Sequence, residues 1–543
     1  MKKSSLQEGA RLLNLGIEHL DAYRNQDALK ILEQASRLCP LDVDMLCVLG
    51  HAQERMGQPE AGRESFTRAH KLNPRHALAL RNLASAELNI GNAELALQLA
   101  DAAYAIEPAN QELASIMLLA ATSSMSVSAE ALRARIVHDA QFRRLSMESS
   151  SRPPGLPPLP LYDSNMSVSS VSSVSSAVPA TPIRIGYFSH HFYRFPLASF
   201  LPHVLRAHDR SRFRVFAFAG HGTMDDVFHQ YVDSVDEFHD LSTMDDDAAA
   251  CYIRELNIDV LLDLSGLTLA NRFGILERRP ARVQMSWLGY FSTVGSRAID
   301  FHLTDQFANP TGMTEHLFTE KLLRLPDCQY AYRPLFEDVP VAPSPLKKNG
   351  YVTFGWFCAP AKLNETAIAA YAEIVANVPD SRIIFVTPSR DLQRRIAQIF
   401  LKANVKRNRL SFLSRLTPES YFKALSSVDI NLDCFPMVGG TAVCDSVWMG
   451  TPVISMFLPR GFGGAASSIL RNVGLGEWLA TDTASFIGSA IRLAGAHEQL
   501  IGYRETLRDR LINSAVMDTV GRCRSLEQFY ENALLGRGWE SIS

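Results

Sequence analysis

Residues 429–455 read DINLDCFPMVGGTAVCDSVWMGTPVIS, and this stretch decides the fold. A short strand runs from Ile430 to Leu432, a loop closes on Gly439-Gly440, and a helix begins at Thr441. A second short strand follows Gly450-Thr451-Pro452. Strand, glycine loop and helix in that order make an anion site. The unpaired N–H groups of the helix's first turn, together with its dipole, face whatever lies at the strand's C-terminal edge. Asp445 shares a helical face with Thr441, where its carboxylate can accept hydrogen bonds from sugar hydroxyls. A tight strand-to-helix turn with a buried threonine at the helix start has the same pattern, so the motif alone leaves both readings open.

Outward from this stretch the pattern is short apolar strands alternating with helices. Upstream run YVTFGWF, a helix over 365–378, RIIFVT, a helix over 390–403, RLSFL and a helix over 418–426. Lys362 lies in the loop CAPAKLNE that follows YVTFGWF, which predicts it at the same sheet edge as the Thr441 helix. A lysine beside a helix N-terminus opposes its dipole unless an anion sits between them. A plain surface lysine is the alternative. Further upstream a first series runs IRIGYF, FRVFAFAG, DVLLDLSG, VQMSWLGY and FHLTD, and a proline-rich crossing at 339–345 separates the two. The expected fold is two successive Rossmann-like α/β halves, 183–345 and 346–543, with a ligand in the cleft between them. Residues 483–535 read as helix.

The N-terminus has a different period. Pro40, Pro74 and Pro108 are spaced by 34, as are Ala35, Ala69 and Ala103. Ala28, Gly62 and Ala96 keep the interval, and so do Gly16, Gly50 and Ala84. Small residues at these offsets let paired helices approach closely, and each proline stops the second helix of its unit. The spacing predicts an α-helical tetratricopeptide solenoid with capping helices over 9–145, able to hold an extended peptide or a protein. A spacer or a dimerisation surface is the alternative. Residues 146–182, with SRPPGLPPLP and SVSSVSSVSSAVPATP, offer no periodic apolar face and read as a proline- and serine-rich linker.

Composition narrows the class. A chain of 543 residues suggests roughly three or four domains. A net charge of −3 gives no general pointer to nucleic acid or a membrane surface. The start MKKSSLQEGARLLNLGIEHL lacks the apolar core of a signal peptide, and no run reaches the length of a membrane span. The eight cysteines form no C-x-x-C pair, so reduced thiols in a cytoplasmic protein without a metal site are expected.

RIGYFSHHF, LERRPARVQMSWLGY, IDFHLTD, FGWFCAPAKLN and LDCFPMVGGTAVCDSVWMGTPVISM, placed behind the repeats, resemble the protein O-GlcNAc transferase/SPINDLY family. Members are inverting glycosyltransferases of the GT-B architecture. LLRLPDC and NVGLG look closer to the SPINDLY-like branch. The resemblance implies transfer of N-acetylglucosamine from UDP-N-acetylglucosamine to protein serine or threonine. It also implies no cofactor and no metal, and a protein or peptide acceptor met through the repeats. Alternatives are extension of a protein-linked glycan, another nucleotide sugar, or a repeat scaffold with a transferase fold that does not turn over. By the same resemblance Lys362 binds the nucleotide diphosphate, Thr441 and the Gly439-Gly440 backbone hold phosphate, and Asp445 binds ribose.

Several positions depart from the family pattern. The histidine of a His-Pro pair after the first strand is Phe195, before Pro196, and a Gly-His-Thr after the third strand is Gly266-Leu267-Thr268. An amide near the diphosphate lysine is Ala359. A histidine before the helix threonines is Gly440, and the second threonine is Ala442. His190 and His191 are the nearest titratable replacements for a catalytic acid or base, with imidazoles expected near the ordinary value of ~6.5. Histidines with a structural role there are the alternative.

Overall fold

The computed structural model describes residues 3–149, 182–414 and 416–535. Most of the expected linker, 150–181, lies outside the described residues. Contacts divide the chain into two compact units. One holds residues 1–127, 356–416 and 434–437, the other residues 128–355, 417–433 and 438–543.

The repeats form as helix pairs: α1 (Lys3–Asp21) with α2 (Asn25–Leu38), α3 (Val43–Arg55) with α4 (Pro59–Leu72), α5 (Ala77–Leu88) with α6 (Ala93–Ile106). α7 (Gln111–Ser123) packs on α6. The columns of small residues have a measurable cause. A Cβ on Gly16 would sit 2.5 Å from Leu32, and one on Gly50 would sit 2.4 Å from Phe66. Ala28, Ala35, Ala69 and Ala103 are wholly buried at the other positions of the pattern. Asp42 and Asn110 start α3 and α7 by accepting N–H bonds of their first turns.

The sequence boundary at residue 145 needs correction. α8 (Ala129–Ser149) belongs to the second unit. Arg143 pairs with Asp139 and donates to the Val294 carbonyl at 3.1 Å, and it faces Glu277 at 3.5 Å. Gly295, at φ +70°, leaves room for the Ile136 backbone, which a Cβ would approach to 2.8 Å. Glu277, Val294 and Gly295 lie more than a hundred residues downstream, where periodicity within the repeats carries no information.

The strands are β1 (Ile183–Ser189), β2 (Phe213–Ala219), β3 (Glu237–Asp240), β4 (Val260–Asp263), β5 (Val283–Ser286), β6 (Phe301–Asp305) and β7 (Lys321–Leu325). They pair in parallel in the order β3-β2-β1-β4-β5-β6-β7. Then follow β8 (Thr353–Trp356), β9 (Arg382–Val386), β10 (Leu410–Leu413), β11 (Ile430–Leu432), β12 (Val453–Met456) and β13 (Leu479–Ala480). Their order is β10-β9-β8-β11-β12-β13. The central strands of both sheets are buried on both faces, as their near-continuous apolar runs required. Each reverses its strand order once, between β1 and β4 and between β8 and β11. Such a switch opens a crevice beyond the strands' C-terminal ends, where α/β proteins bind ligands.

The last helix (Thr519–Leu535), read from sequence with the second half, packs on the first sheet instead. Tyr530 and Tyr187 share a hydroxyl hydrogen bond of 3.0 Å. Glu527 meets His208 Nδ1 at 3.0 Å and accepts the Asp209 N–H at 2.8 Å.

Candidate functional site

The four loops at the two switches carry the residues singled out above. After β11, Asp433 turns back on its own loop. Its carboxylate accepts the Gly439 N–H at 2.9 and 3.0 Å and the Ser455 hydroxyl at 2.6 Å. A Cβ on Gly439 would lie 2.9 Å from the same carboxylate, which explains the glycine. This corrects one expectation: the Gly439 amide is bound by Asp433 and is not presented to an incoming anion. The helix Thr441–Trp448 starts at Gly440, whose carbonyl takes the N–H groups of Val443 and Cys444. Thr441 and Ala442 are half-buried and head the helix. Ser446 donates to the Ala442 carbonyl at 2.7 Å and accepts from Asn431 at 2.8 Å, so the helix is pinned to β11.

Asp445 lies one turn into that helix and is 5% exposed. It accepts a 2.6 Å hydrogen bond from the Tyr332 hydroxyl. Burial pushes its carboxyl up to about 7, against the opposing effect of hydrogen bonds from Tyr332 and Tyr421.

After β8 the chain makes a single turn, Pro360–Lys362, in which Lys362 is half-buried. The next residues fix that turn. Leu363 is buried, and Asn364 caps the following helix by accepting the Ala367 N–H at 2.9 Å. The Asn364 amide donates to the Phe435 carbonyl at 2.6 Å and the Ser123 carbonyl, at the end of α7, at 3.4 Å. β8 and β11 are adjacent and parallel, so both connections leave the same edge of the sheet.

At the other switch, Asp263 at the end of β4 binds its own loop as Asp433 does, accepting the N–H groups of Ser265 and Gly266 at 3.0 and 3.1 Å. Gly266 has φ +51° against the Tyr290 ring, a conformation and a contact that only glycine tolerates. Thr268 Oγ1 donates to the Ser265 carbonyl and lies 3.2 Å from His190 Nε2. His191 Nδ1 meets the Tyr193 hydroxyl at 3.0 Å, and its ring stacks on Phe195 at 3.8 Å and 7°. The two imidazoles lie 3.9 Å apart and both are buried.

Their titration is far from the ordinary value expected of them. Burial lowers His190 to about 4, partly offset by a hydrogen bond with the Leu269 backbone. Burial, with repulsion from His190 and His221, lowers His191 to about 2. Both rings are neutral at physiological pH and weakly basic.

Two residues that hold the site's loops and helix escaped the sequence reading: Asp433 and Tyr332. The spacing Asp433-x5-Gly439 and the alternation QYAY before Arg333 were the available signals.

Helix pairs joined to two parallel sheets, each with its loops at a strand-order switch, define a tetratricopeptide array on a GT-B-type α/β unit. Residues 171–332 and 347–526 match glycosyl transferase family 41, and residues 47–111 match the tetratricopeptide repeat. The chain belongs to glycosyl transferase family 41. It is 32% identical over 364 residues to the SPINDLY protein of Arabidopsis thaliana, named a probable UDP-N-acetylglucosamine–peptide N-acetylglucosaminyltransferase. That alignment covers 65% of this chain and 40% of the relative. The SEC protein of the same plant, named for the same activity, is 26% identical over 358 residues, or 64% of this chain and 36% of that protein. The chain thus spans about two fifths of the length of the curated relatives it matches. In fold it is similar to an O-GlcNAc transferase mutant of Thermobaculum terrenum, with a TM-score of 0.85, 24% identity and 98% of both chains covered.

Proposed function

We propose that the protein is an inverting glycosyltransferase that moves N-acetylglucosamine from UDP-N-acetylglucosamine to serine or threonine hydroxyls of a protein. The observation that carries this reading is the family match across both sheets, with the candidate residues on the loops at both strand-order switches. The acceptor oxygen bonds to the anomeric carbon as the carbon–oxygen bond to the diphosphate breaks, and the hydroxyl proton passes to an oxygen of the departing diphosphate. Negative charge grows on the departing diphosphate, so the useful groups are fixed donors and cations aimed at it. Lys362 and the Thr441 helix start take that role. Asp445 accepts from the ribose hydroxyls. Asp433 holds the Gly439 turn from behind, and Gly440 leaves space above the helix.

No metal ion or cofactor enters this scheme. With both imidazoles weakly basic, leaving-group stabilisation carries the catalysis, and the histidines shape the acceptor side. The repeats bind the acceptor protein, and a reducing cytoplasm suits the eight free cysteines. Among the described residues no helix is long and apolar enough to cross a membrane.

A second reading has its own support. Phe195, Leu267 and the acid-shifted histidines favour a scaffold that binds nucleotide sugar without turnover. Release of UDP from UDP-N-acetylglucosamine by the purified protein, followed by mass analysis of peptide and glycopeptide acceptors, separates the possibilities. Added mass on unmodified peptides supports the proposal, and growth only on glycopeptides means glycan extension. Neither product nor UDP release means a scaffold.

A further inference from the structure

Gly440 and Ala442 leave the start of the Thr441 helix with two fewer side-chain donors than the family pattern implies. One side chain reaches that place from elsewhere in the chain. Tyr330, five residues beyond β7, is 1% exposed, and its hydroxyl has no hydrogen-bond partner among the described residues. A Cβ built on Gly440 meets a single neighbour within 4 Å, that same hydroxyl, at 3.5 Å. An unpaired buried hydroxyl costs stability, so its retention asks for a partner that the described residues do not supply.

The hydroxyl is held in place. Tyr330 packs between Phe200 and Phe291, with ring centroids at 5.3 and 6.1 Å. Its carbonyl accepts from Arg522 at 3.4 Å, and the neighbouring Gln329 N–H donates to Asp305 at 2.8 Å. Two residues on, Tyr332 donates to Asp445 in the same helix. Burial raises the Tyr330 phenol well above its ordinary value, so it remains a protonated donor. We propose that the Tyr330 hydroxyl donates a hydrogen bond to the diphosphate seated at the N-terminus of the Thr441 helix, in place of a side chain at position 440. This inference rests on the function proposed above and adds to it a binding residue that no motif reveals. A neutral donor fixed by aromatic packing needs no reorganisation as charge develops on the leaving group.

The test is calorimetric titration of UDP and GDP into the full chain and its Tyr330→Phe variant, with the thermal midpoint of each ligand-free protein. Phenylalanine keeps the packing and removes only the oxygen. The expected result is about tenfold weaker binding of the diphosphate that the parent binds, with an unchanged or higher midpoint for the free protein. Affinity within twofold of the parent overturns the inference and leaves the proposed function standing. Weaker binding together with a midpoint lower by about 3 °C or more also overturns it, because the hydroxyl would then be serving the fold. A parent chain that binds neither nucleotide refutes the proposed function, and this inference with it.

Discussion

Asp445 has its proton contested by burial on one side and two tyrosine hydroxyls on the other. Burial wins, and the folded carboxyl titrates near 7 where an unfolded aspartate titrates near ~3.9. A raised acid favours the fold when protonated. Its contribution is therefore complete below about pH 4 and is lost as pH rises through about 7. Ribose hydroxyls need the ionised form, so nucleotide affinity should rise over the upper part of the same window. Asp445→Asn should flatten both profiles, as thermal midpoints and nucleotide titrations between about pH 5 and 8 would reveal. A variant whose profiles follow the parent's would place the titration elsewhere. The histidines behave oppositely, since lowered bases favour the fold when neutral and act against it only in acid. We expect His190→Ala and His191→Ala each to keep turnover within about tenfold, because a good general base titrates near the working pH. A loss of about a hundredfold in either, with donor affinity intact, would restore it as the base. The sequence placed both histidines directly after β1, where the structure has them. It could not show their burial, which comes from Phe195, Thr268 and each other.

Among the elements, the helix Arg390–Lys402 shows how a repeat residue can finish a distant structure. Glu60, in the first turn of α4, accepts the Arg390 N–H at 2.6 Å and the Asp391 N–H at 3.3 Å. Arg63 joins Asp391 to Glu87, with contacts of 3.3 and 2.7 Å. A carboxylate over a helix N-terminus satisfies amides that the helix itself cannot. Ser389 already caps that helix from within, accepting the Leu392 N–H at 3.3 Å. Glu60→Ala should therefore cost only about 1 kcal/mol in denaturant unfolding, and Glu60→Gln less, since an amide oxygen still accepts. An alanine variant as stable as the parent would show the contact to be incidental. The strands other than β3, β7 and β13, and the repeat helices, were legible because apolar runs and a period of 34 are local signals. The places of α8 and of the last helix were not, since Arg143–Val294 and Tyr530–Tyr187 join residues far apart in sequence.

At the scale of the molecule, the repeats touch the loop that carries Lys362. Asn364, two residues past Lys362, is tied to the end of α7, and a Cβ on Gly91 would lie 3.6 Å from the Leu363 carbonyl. The array therefore supports the turn assigned to the diphosphate. Whether that turn binds one decides the assignment. Calorimetric titration of UDP and GDP into the parent and a folded Lys362→Ala variant measures this most directly. The expected result is binding of one nucleotide by the parent and a loss of about 2–4 kcal/mol in the variant, the weight of a charge-assisted contact to phosphate. Equal affinity in the two proteins would contradict it.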